Sequence, residues 1–245
     1  EDFITSTTLD DQEEVAILFK KYDLLTVPVV DKEGRLVGII TIDDIVDVID
    51  QENTEDFQKM AAMAPTDEEY LFSNVFSLAR KRVLWLAILL VTATFTEMII
   101  GKFESILTAV HVLAASIPML MDTAGNAGAQ SATLMIRSLA TGDVEMKDWF
   151  KLVGKEFFVS FLLGLTMAVG VSLIASIRSP EIIVVVASTM VLTVMVGSLV
   201  GLLLPFVFTK FKLDPATASA PLITSIADIL GVMIYFTIAS HYFGL

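Results

Sequence analysis

Five long apolar runs follow Arg80, at residues 83–101, 105–121, 157–177, 182–209 and 216–240. Each approaches or exceeds the roughly 20 residues that a membrane-spanning helix needs. One aqueous core cannot bury five such segments, so most of the chain is expected to be solvated by lipid. Composition agrees: 55% of residues are hydrophobic and the mean hydropathy is +0.74, beyond the range of ordinary soluble domains.

An odd number of spans puts the two termini on opposite sides. Arg80, Lys81, Arg82, Arg137, Lys147, Lys151, Lys155, Lys210 and Lys212 fall in connections on one side, and only Lys102 and Arg178 fall on the other. Basic residues concentrate in cytoplasmic connections. The expected topology is a multi-pass protein of the cell membrane, with its amino terminus cytoplasmic and its carboxyl terminus outside.

The net charge of −13 is unevenly divided. Residues 1–79 hold 19 acids and 5 bases, whereas residues 80–245 hold 10 acids and 11 bases. An acidic aqueous head is therefore fused to a nearly neutral apolar body. Clustered Lys and Arg, which nucleic acid requires, are missing from this pattern. The sequence has no cysteine, which excludes disulfides, thiol catalysis and thiolate metal sites. It contains no HExxH, nucleophile elbow or P-loop, so no enzyme is expected. The sequence opens at Glu1, in mid-motif and without a signal-peptide pattern, and is expected to be a fragment of a longer chain.

Acids inside apolar runs are costly and by default mark an ion or substrate pathway. Asp228 is the sharpest case. Counting 14 residues of continuous helix from Asp214, at the cytoplasmic edge beside Lys210 and Lys212, puts it about 21 Å deeper. Ala220, Thr224 and Asp228 recur every four residues and Gly231 follows, giving one small, polar, acidic face. Pro221 lacks an amide and is expected to free the carbonyl of Thr217. This face reads as a pore lining with a cation site; the alternative is a carboxylate neutralised by a proton or a polar neighbour. No base lies deep in any run to pair with it.

The second run is irregular, with Pro118, Asp122, Gly125, Asn126, Gly128, Gln130 and Ser131. Its glycines, Asn and Gln are expected to unwind or thin the helix, exposing carbonyls suited to a hard cation. Gly125, Gly128, Ala129 and Ala132 equally suit close helix packing, and both readings hold together if the packing makes a narrow pore. Asp122 reads either as a ligand or as a hydrogen-bonded scaffold. Glu97 and His111 read as interfacial.

In the head, Asp10 and Glu13 form a capping pair for a helix to Tyr22. Residues 26–30 and 36–41 read as strands joined by a turn at residues 31–34, and Asp43 and Asp44 open the next helix. After Pro65, the group Thr66, Asp67, Glu68 and Glu69 is expected to cap a helix over residues 70–82 that runs into the first span. Helix, strand, turn, strand and helix, with Thr41 and Asp44 at the last junction, resemble one CBS module. That resemblance implies phosphate and ribose binding by Thr41 and Asp44, with ATP as the nucleotide, although many such modules bind none. CBS modules work in pairs, and this one is expected to be the second of its pair.

Taken together, these features resemble the MgtE-type magnesium channel family. The resemblance rests on the run from Pro118 to Ser131, on Arg137, Thr141 and Asp143, and on Asp214, Pro215, Ala216, Pro221, Thr224, Asp228 and Gly231. The fold it implies is mostly α, with a five-span helical pore domain over residues 83–245. A single α/β CBS module over residues 1–52 precedes it, with a linker and plug helix over residues 53–82. It implies a homodimer in the lipid bilayer with one pore on the two-fold axis. Asp228, the Thr224 carbonyl, Gly125, Asn126 and Asp122 would contact Mg2+ in the pore. Asp214 would stand at the cytoplasmic mouth, and Asp67, Glu68 and Glu69 would belong to a sensor that closes the pore at high cytosolic Mg2+. Ala220 departs from members with Asn before the proline.

Magnesium keeps its water shell tenaciously, which suits carboxylates and carbonyls that act through water. Manganese, cobalt and nickel are the alternative ions. A coupled secondary transporter of another divalent cation is the alternative mechanism. An intramembrane aspartyl hydrolase using Asp122 and Asp228 lacks the expected Gly-x-Gly-Asp motif, and a merely anchored nucleotide sensor would not need Asp228.

Overall fold

A computed structural model describes residues 3–66 and 70–244. The chain forms two compact units. One holds the head up to Gln58 with a short segment from Pro65; the other holds Lys59–Ala64 and the chain from Tyr70 onward.

The head is a three-stranded sheet in the order β1-β2-β3, with two helices. Strand β1 (Ser6–Thr7) pairs in parallel with β2 (Thr26–Val30), which pairs antiparallel with β3 (Leu36–Thr41). The expected turn forms because Asp31 caps it. Its Oδ1 accepts the amides of Glu33 at 3.0 Å and Arg35 at 2.8 Å, while Gly34 takes the left-handed φ of +76° that the turn requires.

Helix α1 (Gln12–Tyr22) is capped one residue later than expected, by Asp11, whose side chain accepts from the Glu13 amide at 2.9 Å. Asp10 is drawn away to the Thr7 amide at 2.8 Å and the Ser6 hydroxyl at 3.1 Å. Hydrogen bonds from Thr7, its side chain foremost, hold the Asp10 carboxyl below the ordinary carboxylate range. Val15, Ala16 and Phe19 of α1 bury against Val27 of β2 and Ile45 of α2 (Ile42–Met60).

In the second unit, α3 is a single helix, Val75–Lys102. It begins later than residue 70, because Asn74 supplies a side-chain acceptor for the Phe76 amide at 2.9 Å. Asp67, Glu68 and Glu69 lie outside the described residues. After α4 (Glu104–Ala109) come α5 (Val112–Ala140), α6 (Trp149–Arg178), α7 (Ile183–Lys210) and α8 (Ala220–Phe243). The expected second run at residues 105–121 is therefore broken near Val110, where the backbone leaves helical geometry.

Among the described residues four helical segments are long and apolar enough to cross a bilayer: Val75–Lys102, Met146–Arg178, Pro180–Lys210 and Ala220–Phe243. The expected count was five. Helix α5 has the length, at 29 residues, but Asp122, Asn126 and Gln130 dilute its apolar character.

Helix α7 is central, packing against α5, α6 and α8. Glycines set the closest approach. A methyl group built on Gly128 would fall 2.7 Å from the Gly197 carbonyl oxygen, and one on Gly201 would collide with the Gly128 carbonyl. Backbone cannot yield as a side chain can, so these positions require glycine. The expected unwinding of α5 does not occur: the helix runs unbroken through Gly125 and Gly128, because their missing side chains are used for packing.

Residue pairings also give the helix directions. Ala124 and Gly128 of α5 meet Gly197 and Gly201 of α7 in rising order, so α5 and α7 run parallel. Gly125 meets Thr224 and Met121 meets Gly231, so α5 and α8 run antiparallel. At one end Ala132 and Ile136 cluster with Ala216, Ala218 and Ile223. At the other, the Tyr235 hydroxyl donates to the Leu113 carbonyl at 2.9 Å and Phe103 stacks on Phe236 with centroids 4.9 Å apart.

Candidate functional site

Asp228 lies in the ninth position of the 24-residue α8. The estimate of about 21 Å below Asp214 does not hold, because the intervening chain is not one helix. Pro215–Thr217 form a separate 3₁₀ turn and α8 starts only at Ala220. Asp228 is about 12 Å from the start of a helix about 36 Å long. The expectation for Pro221 fails for the same reason. Pro221 sits in the first turn of α8, where an amide has no helical partner anyway, and the Thr217 carbonyl accepts the Ser219 amide at 2.7 Å.

Thr224 stands one turn before Asp228. Its hydroxyl donates to the Ala220 carbonyl at 3.0 Å, and its methyl group packs on Gly125, where an added Cβ would come within 2.8 Å. Gly125 is thus the contact that lets α5 lie against α8 beside Thr224. Gly231, one turn further on, is likewise closed off by Met121.

On α5, Asp122 and Asn126 are exposed residues one turn apart, and the Asn126 amide donates to Asp122 Oδ2 at 3.1 Å. The scaffold reading of Asp122 therefore has one supporting bond, while its other oxygen accepts no hydrogen bond among the described residues. The antiparallel packing of α5 and α8 brings the Asp122 and Asp228 carboxylates within electrostatic reach of each other. Among the described residues Asp228 makes no hydrogen bond, and no group of three or more His, Cys, Asp or Glu side chains could hold a metal ion. Two carboxylates, one amide and one hydroxyl thus lie on the two helices that meet at Gly125. They form an acidic, oxygen-rich strip suited to a hydrated cation rather than a closed inner-sphere cage.

Asp214 is placed elsewhere, at the turn before α8. Its Oδ1 accepts the Ala216 amide at 2.8 Å, capping the 3₁₀ turn, and its Oδ2 forms a short ion pair with the Lys59 ammonium. Sequence reading missed Lys59. The signal was present: it is the only base between Arg35 and Arg80. The glycines of α7 were missed as well, because nothing in a uniformly apolar run marks which face is packed.

At the head, Thr41 and Asp44 meet at the junction of β3 and α2, the Thr41 hydroxyl donating to Asp44 Oδ2 at 3.1 Å. A hydrogen bond from Thr41 also holds the exposed Asp43 carboxyl below its ordinary range. These residues are brought together, but the bond ties up groups that a nucleotide would use.

Comparison with known proteins follows the same division. The sequence model of a family described as a divalent cation transporter, MgtE, matches residues 117–238. A CBS domain model matches residues 1–51. The chain is similar to the magnesium transporter MgtE of Thermus thermophilus, 44% identical over 230 residues, covering 94% of this chain and 51% of that one. Against the magnesium transporter MgtE of Bacillus subtilis it is 38% identical over 242 residues, covering 98% of this chain and 53% of the relative. The magnesium transporter MgtE of Enterococcus faecalis is 35% identical over 235 residues, covering 95% and 51%. The chain spans about half the length of the curated relatives it matches.

Proposed function

Because the chain belongs to the MgtE family of divalent cation transporters, we propose that it conducts Mg2+ across a membrane along the seam between α5 and α8. The observation that carries this reading is the pair Asp122 and Asp228, within electrostatic reach of each other on helices that pack antiparallel. Desolvating Mg2+ is slow and costly. Carboxylates that act through its water shell lower its energy in the membrane without trapping it.

In this reading α5 is a fifth pass. Its parallel alignment with α7, which is apolar enough to span, supports this: a helix packed at the same level crosses the same layer. Its polar side chains then require water or protein rather than lipid beside them. A second copy of the chain, set against the exposed Asp122 and Asn126, would provide that surroundings and double the number of carboxylates. The homodimeric pore and cytoplasmic amino terminus, with Lys147, Lys151 and Lys210 on the inner side, belong to the same proposal.

The head would act as the sensor. Like charges at the density of residues 1–79 repel one another, and divalent ions bridging acidic faces would offset that repulsion. High cytosolic Mg2+ would thus compact the head and close the pore. Adenine nucleotide at Thr41 and Asp44 would be a further regulator.

The test is Mg2+ uptake into proteoliposomes. Uptake that follows the Mg2+ gradient alone agrees with a channel. Uptake that requires a proton or sodium gradient would replace the channel with a coupled transporter, and no uptake would overturn the reading.

A further inference from the structure

The strongest feature that cation conduction does not absorb is the segment Lys59–Ala64, which belongs to the membrane unit although it follows the head in sequence. Two contacts fasten it, through Met60 and Ala64, and a turn at Ala62 shapes it. Met60 packs on the cluster of Ala132, Ile136, Ala216, Ala218 and Ile223. Ala62, buried and left-handed at φ 56°, donates its amide to the Lys59 carbonyl at 2.9 Å. The Ala64 amide donates to the Lys81 carbonyl at 3.2 Å. This fastening aims the Lys59 side chain at Asp214, and the two side chains are only 22% and 34% exposed.

Both oxygens of Asp214 are thereby occupied, one by the Ala216 amide and the other by the Lys59 ammonium. A cation arriving at this carboxylate meets a site already filled by a charge of its own sign. We infer that Lys59 is a tethered cation holding the place of a metal ion at Asp214, so that divalent cation and ammonium compete for the same carboxylate oxygen. The inference rests on Mg2+ as the conducted ion and adds a residue outside the α5–α8 seam to its control.

The chemistry supports exchange rather than a permanent bridge. A partly exposed ion pair is worth little net energy, since each partner retains water and loses side-chain freedom. Doubly charged Mg2+ gains more from the same carboxylate than a single ammonium does. Lys59 can be displaced at a Mg2+ concentration that its own attraction sets. Because Met60 and Ala64 are fastened by contacts that do not involve the Lys59 side chain, the ammonium can leave while its backbone stays docked.

The experiment uses the intact chain in lipid nanodiscs, labelled briefly with an amine-reactive ester at mildly alkaline pH and read by peptide mass spectrometry. Labelling of Lys59 is compared across a MgCl2 series and a choline chloride series of matched ionic strength. The exposed Lys155 and Lys210, which make no ion pair among the described residues, serve as internal standards. Mg2+ is expected to raise Lys59 labelling several-fold over choline. Asp214→Asn, which can keep the cap on Ala216, should give high labelling indifferent to Mg2+. Labelling of the wild type that ignores Mg2+ would overturn the inference, as would an unchanged rate in Asp214→Asn.

If Asp214→Asn does not assemble, Lys59→Gln gives a second readout: half-maximal Mg2+ dependence of flux should shift several-fold to lower concentration, and an unshifted curve counts against the lock. Flux with Mg2+-indifferent labelling would sink the lock alone. Absent flux would sink the conduction reading on which it rests.

Discussion

Asp214 and Asp228 are both acids of the same hydrophobic half of the chain, yet they stand in opposite circumstances. Asp214 has both oxygens engaged, by an amide and an ammonium. Asp228 accepts no hydrogen bond among the described residues and has another carboxylate, Asp122, for an electrostatic neighbour. An unpaired acid in an apolar helix is costly unless an ion, water or a proton serves it. The difference separates a carboxylate whose place is already held by a tethered ammonium from one left open to a cation.

The sharpest way to break this contrast is Asp228→Asn, which preserves shape and removes charge. Losing a charged partner for a hydrated cation inside an apolar layer is worth about 2 kcal/mol or more, so Mg2+ flux should fall roughly 30-fold or more while the protein still assembles. Flux within twofold of wild type would make Asp228 a packing residue. Gly201→Val tests the frame that holds the two acids. Its side chain meets the Gly128 backbone, so α7 and α5 must part, at a cost of about 1–3 kcal/mol. A lowered midpoint of thermal unfolding would register this, and an unchanged midpoint would contradict the close approach.

Asp214→Ala, by contrast, should act on the turn before α8 and on the Lys59 pair rather than on the conducting seam. It removes the acceptor for the Ala216 amide, worth about 1 kcal/mol for a cap, and takes the Asp214 carboxylate away from Lys59. The smallest effect is expected in the head. Asp10 is held below the ordinary carboxylate range by Thr7, so its hydrogen bonds stabilise the folded head above the unfolded pKa and are lost as pH falls through the lower folded value. Unfolding of wild type and Asp10→Asn, followed by circular dichroism, should differ at neutral pH and converge as the pH drops below 3.8.

Much of this arrangement was legible in the residues. The strands at Thr26–Val30 and Leu36–Thr41 follow from β-branched residues flanking an Asp-to-Gly turn, and the apolar runs locate α3, α6, α7 and α8 because lipid-length helices need continuous hydrophobicity. What failed depended on tertiary partners. Asp10 lost the cap of α1 to Asp11 because Thr7 competed for its side chain. The unwinding expected near Gly125 assumed that glycine weakens a helix, whereas here it shapes a helix surface that α7 and α8 complete. The count of one continuous helix from Asp214 to Asp228 failed because Pro215–Thr217 form a separate turn before α8. Lys59 stood out as an isolated base, but its pairing with Asp214 did not, since the two are separated by 155 positions.

The central claim is that a hydrated divalent cation rests beside Asp228. Manganese, with the same charge and a strong anomalous signal, can be located directly by diffraction from crystals of the protein soaked in MnCl2. With water between metal and carboxylate, the account predicts an ion roughly 4 Å from the Asp228 oxygens, lost in Asp228→Asn. Manganese bound only elsewhere, or retained beside residue 228 in the Asn variant, would contradict it.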